Sequence, residues 1–232
     1  MTTSGTSSDG LPPGPQRRPV VRQAGGSSAG GDFAAKDAEA IIALVRTATE
    51  AKTYRADILK KLAAHRRAAH SCKIVFCVSV TLGETVKEPR ERKARRAAAC
   101  AADVELRPAS LSFFGQRDLS KLPLDEPFQQ TETNASRTMV EAYTAKGRTL
   151  REIAVDPDVN GIPFVGTSDS VAAKMIEART EIGADGLLFT EPLSRRSVAE
   201  ITDGLIPALQ RRGATRRSYT GGSTLRETLM EF

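Results

Sequence analysis

The segment Lys73-Ile74-Val75-Phe76-Cys77-Val78-Ser79-Val80 constrains this chain more than any other. It is nearly all apolar and rich in β-branched residues. A strand apolar on both faces belongs to a parallel sheet covered by helices. The residues before it supply such a helix. From Thr49 to His70, Tyr54, Ile58 and Leu62 lie on one stripe, with Lys60, Lys61, Arg66 and Arg67 outside it. Three more strands can be read: 20–23, stopped by Ala24-Gly25-Gly26, then 40–45 and 185–190. Each is followed by a helical pattern, and alternating β and α argues for a parallel α/β architecture. Four βα units are half of the eight that close a TIM barrel. The expected fold is therefore half of a (β/α)8 barrel.

Other helices have recognisable ends. Asp32 to Ala38 is Ala-rich, and Thr85-Val86-Lys87-Glu88 has capping-box spacing before a helix to about Glu105. Thr149-Leu150-Arg151-Glu152 repeats that spacing before a short helix to Val155, and Ser168 is expected to cap a helix to Ile182. Val198, Ile201, Leu205, Ile206 and Leu209 form the apolar face of a last helix, ended by Gly213 after Arg211-Arg212. Residues 107–135 lack periodicity and read as a long ordered insertion loop, followed by a helix at 136–146.

Residues 1–19 hold 13 Gly, Ser, Thr or Pro. The expected division is a flexible leader at 1–17 and one domain at 18–232. No stretch approaches the roughly 18–20 apolar residues of a membrane span, and the N-terminus has no signal-like apolar region. Three Cys in 232 residues fit a reducing compartment, so a cytoplasmic location is expected. The formal charge is +6, from 34 Lys+Arg against 28 Asp+Glu. The densest basic run, 87–96, already contains Glu88 and Glu91 and reads as a solvated helix face. With aromatics at 5%, few rings are present to stack bases, so no specific nucleic-acid partner is expected.

One loop could carry chemistry. In Gln23-Ala24-Gly25-Gly26-Ser27-Ser28-Ala29-Gly30-Gly31-Asp32-Phe33 a strand ends, a Gly/Ser loop follows and a helix begins. Backbone N–H groups at a helix N-terminus, with hydroxyls beside them, suit an anion. A plain turn with capping serines fits the same residues. Gly166-Thr167-Ser168-Asp169-Ser170 also precedes a helix, and there a structural cap is the better reading, Asp169 complementing the dipole. His65, His70, Cys72 and Cys77 match no zinc spacing, so no metal is expected, and no nucleophile elbow is present.

Several stretches together resemble a known family. Residues 18–35, including the Ala-Gly-Gly-Ser loop, are similar to the strand–loop–helix of bacterial-luciferase-like FMN-dependent monooxygenases. The subgroup is that of nitrilotriacetate monooxygenase, dibenzothiophene sulfone monooxygenase and the large chain of pristinamycin synthase. Asp118-Leu119-Ser120 with Pro123-Leu124-Asp125-Glu126-Pro127 resembles its insertion loop, and Phe164-Val165-Gly166-Thr167 with Gly183-Ala184-Asp185-Gly186 its last βα region. Most specific is the ending: Pro207-Ala208-Leu209-Gln210-Arg211-Arg212-Gly213, then Tyr219 and Thr224-Leu225-Arg226-Glu227. The similarity runs over residues 16–232 and implies the C-terminal half of the barrel. Gly31 departs from it, standing where the family usually has a larger polar residue, as does Asp37 where His is common.

The resemblance implies an oxidoreductase of a two-component system. It would take reduced FMN from a separate NAD(P)H-dependent flavin reductase and use O2 to oxygenate a small organic substrate. It places Ser27 on the FMN phosphate, with Gly26 and Ser28 beside it. It assigns no catalytic residue. Because the family's early strands have no counterpart here, two further expectations follow. One is a homo-oligomer or a partner supplying the remaining half-barrel. The other, an alternative function, is an inactive barrel remnant serving as an interaction module.

Overall fold

The structure, a computed structural model, describes residues 14–24, 28–106, 108–109, 112, 118–127, 147–156, 158, 160–190 and 194–231. Five strands form one parallel sheet: β1 (Arg22–Ala24), β2 (Ala40–Ala43), β3 (Lys73–Leu82), β4 (Ile162–Gly166) and β5 (Gly186–Phe189). β3 is the centre. It pairs with β2 along residues 73–76, with β5 along 75–78 and with β4 along 78–82. β1 pairs with β2 and β5 with β3, and no further strand among the described residues joins either of them.

All four strands expected from sequence are present. The fifth, β4, is Ile162-Pro163-Phe164-Val165-Gly166, whose proline near the start argues against a strand. Pro163 is exposed while Ile162 and Phe164 are buried, so the strand tolerates it on its open side. Gly161 just before it is obligatory: a Cβ there would lie 2.6 Å from the Cys77 carbonyl oxygen.

Register divides the sheet into two faces. Ile41, Ala43, Ile74, Phe76, Val78 and Val80 lie on one of them, and all belong to the main core. Two helices cover that face: α2 (Ala48–Ala64), through Ala51, Ile58 and Leu62, and α5 (Ser168–Ile182), through Val171, Ala172 and Met175. Tyr54 meets Phe76 edge-on, with ring centroids 6.2 Å apart. Ala24, Ile42, Val75 and Leu188 point to the other face and are absent from that core. Two helices on one side, and on the other a face partly open near Ala24, Val75 and Leu188, fit an arc of a barrel.

The remaining helices are α1 (Ser28–Asp37), α3 (Lys87–Ala102), α4 (Leu150–Ala154), α6 (Arg195–Ala199), α7 (Ile206–Arg211) and α8 (Leu225–Met230). α2 stops short of the expected His70. Arg66 adopts φ 56° and a 3-10 turn at Ala69–Ser71 follows. Thr149 and Glu152 form the expected reciprocal cap on α4. The cap of α5 is Thr167, whose hydroxyl accepts from the Ser170 N–H, and Ser168 is its first helical residue.

The last helix is not continuous. Between α6 and α7, Glu200–Leu205 forms a π turn in which the Ile206 N–H reaches back to the Ile201 carbonyl. Pro207 follows and offers no N–H of its own. The wider turn shifts the helical phase, leaving Val198 42% exposed while Leu205, Ala208 and Leu209 are buried. Gly213, at φ 67°, ends α7 as expected.

Of the insertion, a 3-10 turn at Leu119–Lys121 is described. Leu119 packs with Leu150 and Ile153 in a small separate core. The helix expected at 136–146 lies outside the described residues. α8 straps the N-terminal end of the sheet. Arg226 holds Glu39 through Nε at 2.7 Å and donates to the carbonyls of Gln16, Arg18 and Pro19.

Candidate functional site

In a parallel α/β sheet the loops that follow the strands gather at one end, where ligands bind. Here that end collects the start of α1 after β1, Arg46 beyond β2, Gly83 after β3, Thr167 after β4 and Thr190 after β5. Gly26 and Ser27, expected on a phosphate, lie outside the described residues. Ser28 is the first residue of α1, and its side chain is likewise outside the description.

The helix that receives this loop suits an anion. α1 runs ten residues from the C-terminal end of β1, and its first turn, Ser28-Ala29-Gly30-Gly31, has no carboxylate. Gly31 serves packing: a Cβ there would meet Lys61 Nζ at 3.0 Å and Ile58 Cδ1 at 3.2 Å. The Lys61 ammonium fills the space a larger residue would occupy, held by Asp57 at 2.8 Å. A phosphate cradle therefore fits the residues that remain.

A second polar group lies beyond β2. Arg46 and Arg148 both reach the Asp156 carboxylate, Arg148 at 3.0 Å. Arg148 also donates to the Glu152 carbonyl at 2.7 Å. Glu50, whose carboxylate accepts from the Arg46 backbone N–H at 2.9 Å, adds a second carboxylate, so the charges of this cluster balance.

The inner face of β3 changes character along its length. Val75 is apolar and half-exposed, whereas Ser79 and Thr81 are buried beneath α3. Ser79 Oγ contacts Asp158 at 3.4 Å, Lys93 pairs with Asp158, and Arg96 donates to Thr81 Oγ1 at 3.3 Å. The inner face is thus charged at the strand starts, where Arg22 and Lys73 lie, apolar in the middle at Ile42, Val75 and Cys77, and polar near the end of β3. The charged run 87–96, expected to be solvated, is in part engaged: Arg92 is bound by Glu88 and Glu200, and Lys93 by Asp158. Bringing Lys93 to Asp158, on the far side of the insertion, needs tertiary geometry that no charge pattern contains.

A groove of about 330 Å3 lies between Gly83, Arg92, Thr167, Ser168 and Glu200. Its walls are the Glu88–Arg92–Glu200–Arg196 network, in which each guanidinium meets both carboxylates. The Glu84 N–H, and then Arg92, hold the Glu88 carboxyl below the usual carboxylate range. Asp169 lies in the first turn of α5, where its charge complements the dipole as expected, but the cap is Thr167 and the Asp169 carboxylate is tied to another helix. Arg212 at 2.8 Å and Arg211 at 3.2 Å grip it, and these bonds hold its carboxyl low.

Cys72, Cys77 and Cys100 are buried free thiols. Burial pushes the Cys72 thiol up to about 11 and also raises Cys77. Among the described residues, no group of His, Cys, Asp or Glu could hold a metal ion, and no helix is long and apolar enough to cross a membrane.

Known proteins resemble the chain over nearly all of its length. The dimethyl-sulfide monooxygenase of Hyphomicrobium sulfonivorans is 31% identical over 226 residues, 94% of this chain and 46% of the relative. One of the chains of the pristinamycin IIA synthase of Streptomyces pristinaespiralis is 31% identical over 220 residues, 93% of this chain and 51% of its own length. A crystal structure of a riboflavin lyase, solved with modified FMN and riboflavin, superposes with a TM-score of 0.80 at 26% identity. That match covers 94% of this chain and 48% of the lyase. No family profile matches. The chain spans about half the length of the curated relatives it matches. With this identity sustained over nearly its whole length, and with a half-barrel fold to match, the chain is similar to one half of the luciferase-like FMN-dependent monooxygenases.

Proposed function

We propose that this chain is the FMN-phosphate half of a flavin-dependent monooxygenase acting on a small organic substrate. The observation that carries the reading is the carboxylate-free first turn of α1 at the C-terminal end of β1. That is where an open α/β sheet receives a phosphate. Ser27 would donate to the phosphate, with Gly26 and Ser28 adding contacts from the same loop.

Reduced FMN, supplied by a separate NAD(P)H-dependent reductase, would bring the electrons for O2 chemistry. The chain's own part is binding, orientation and exclusion of water. Ile42, Val75 and Leu188 offer an apolar wall. An apolar wall keeps solvent from a reactive centre. Compartment and reductase partner follow the same reading: a protein working in a reducing, reductase-containing cytoplasm.

Titrating FMN against the chain tests the reading. Ser27→Ala should weaken binding by about 1.5–3 kcal/mol, the worth of one charge-assisted hydrogen bond. Equal affinity of wild type and variant removes Ser27 from the site. Absence of FMN binding by the wild type removes the function.

A further inference from the structure

The geometry points to a binding site for the carboxylate of a small organic acid in the cleft between α3 and α6, with Arg96 and Arg196 as its donors. A barrel takes its substrate at the C-terminal ends of the strands, so the acid is the substrate if the proposed function holds. The binding itself needs no flavin.

The groove beside Glu200 continues into a second lobe of about 200 Å3. The lobes share Leu82, Arg92, Arg196 and Glu200, so the ion network divides one cleft. Their linings differ. Among the described residues, the first is lined by Glu84, Asp169 and Glu200 against two arginines, the second by three arginines against Glu200 alone. Val80 and Leu82 give the second lobe an apolar side.

Glu200 shows what such a lining holds. Its carboxylate accepts from Arg92 Nη1 at 3.0 Å and from Arg196 Nε at 2.8 Å. Arg196 spends Nη2 on Glu88 at 2.9 Å, and its Nη1 has no partner among the described residues. That side chain is 66% exposed, so a ligand can reach it. Arg96, on α3, is held beside β3 by the Thr81 hydroxyl at 3.3 Å. Planar guanidinium forks match a carboxylate, and the apolar side suits a short methylene chain. A small aliphatic acid satisfies both.

Calorimetric titration of the chain with succinate at low ionic strength reads the result, with circular dichroism confirming that each variant is folded. The wild type should bind succinate in the millimolar range or tighter, and succinamide, its neutral counterpart, at least about tenfold more weakly. Arg196→Gln and Arg96→Gln should each lose about tenfold in succinate affinity. Arg195→Gln, outside the cleft, should leave it unchanged. Ser27→Ala should not alter succinate binding, nor Arg196→Gln FMN binding, so either site can fail without the other. No succinate binding by the wild type at about 20 mM would overturn the inference. So would succinamide binding as tightly, sulfate displacing succinate on equal terms, or Arg196→Gln binding like the wild type.

Discussion

β3 and the two end strands share one sheet yet lie in opposite environments. Nine of the ten β3 residues are buried, whereas β1 is exposed at Arg22 and Ala24 and β5 at Leu188, with their other residues partly buried. Phe76 is fully buried on β3, while Leu188, which pairs with the next β3 residue, Cys77, is more than a third exposed. The difference comes from neighbours. β3 has strands along its length, α2 and α5 over one face and α3 over the C-terminal half of the other, while β1 and β5 each lack a described strand on one side. Sheet stability in this fold is thus a property of position rather than of composition.

The largest expected effect sharpens that contrast. Phe76→Ala empties a site packed against Tyr54 and should cost about 3–5 kcal/mol in urea unfolding. Leu188→Ala in dilute protein should cost about 1 kcal/mol or less, since much of that side chain already meets water. Equal costs would mean that the end strand is as well covered as the centre.

Arg226→Ala comes next, testing whether α8 secures the β1 end of the arc. The guanidinium bonds Glu39 and three backbone carbonyls, and Glu39 keeps Arg18 at 2.9 Å when Arg226 is gone. A loss of about 2–3 kcal/mol is expected, as for a charged hydrogen-bond partner removed from a buried group. A change below about 0.5 kcal/mol would show the strap to be superficial. Thr149→Ala removes the cap of α4, remote from both centre and ends, and should cost about 1 kcal/mol.

The smallest effect is a pH dependence. Cys72, adjoining β3, has its thiol raised from 9.0 to about 11, chiefly by burial. The unfolded chain releases this proton first, so Cys72's contribution is fully present below pH 9.0. It is lost as pH rises through about 11. Cys72→Ala should flatten stability measured over that interval. An unchanged slope would place the alkaline loss elsewhere.

What can be read from sequence follows the same geography. The β3 run is legible because burial on both faces removes polar alternation, and the Thr149–Glu152 box because it is local. β4 is hidden by Pro163, and the π turn by an apolar spacing that fits an unbroken α-helix equally well. The Arg226–Glu39 tie joins residues 187 apart, and Lys93–Asp158 joins α3 to a segment beyond the insertion. No periodicity carries such pairs. The loop proposed for a phosphate is legible as a strand–Gly/Ser–helix pattern, but the residues alone also allow a plain turn. The family resemblance favours the phosphate, and α1, free of carboxylates in its first turn, is compatible with it.

Hydrogen exchange read strand by strand tests the contrast most directly. The account predicts β3 amides strongly protected and the amides of β1 and β5 exchanging faster. Amides of β1 and β5 as slow as those of β3 would contradict it.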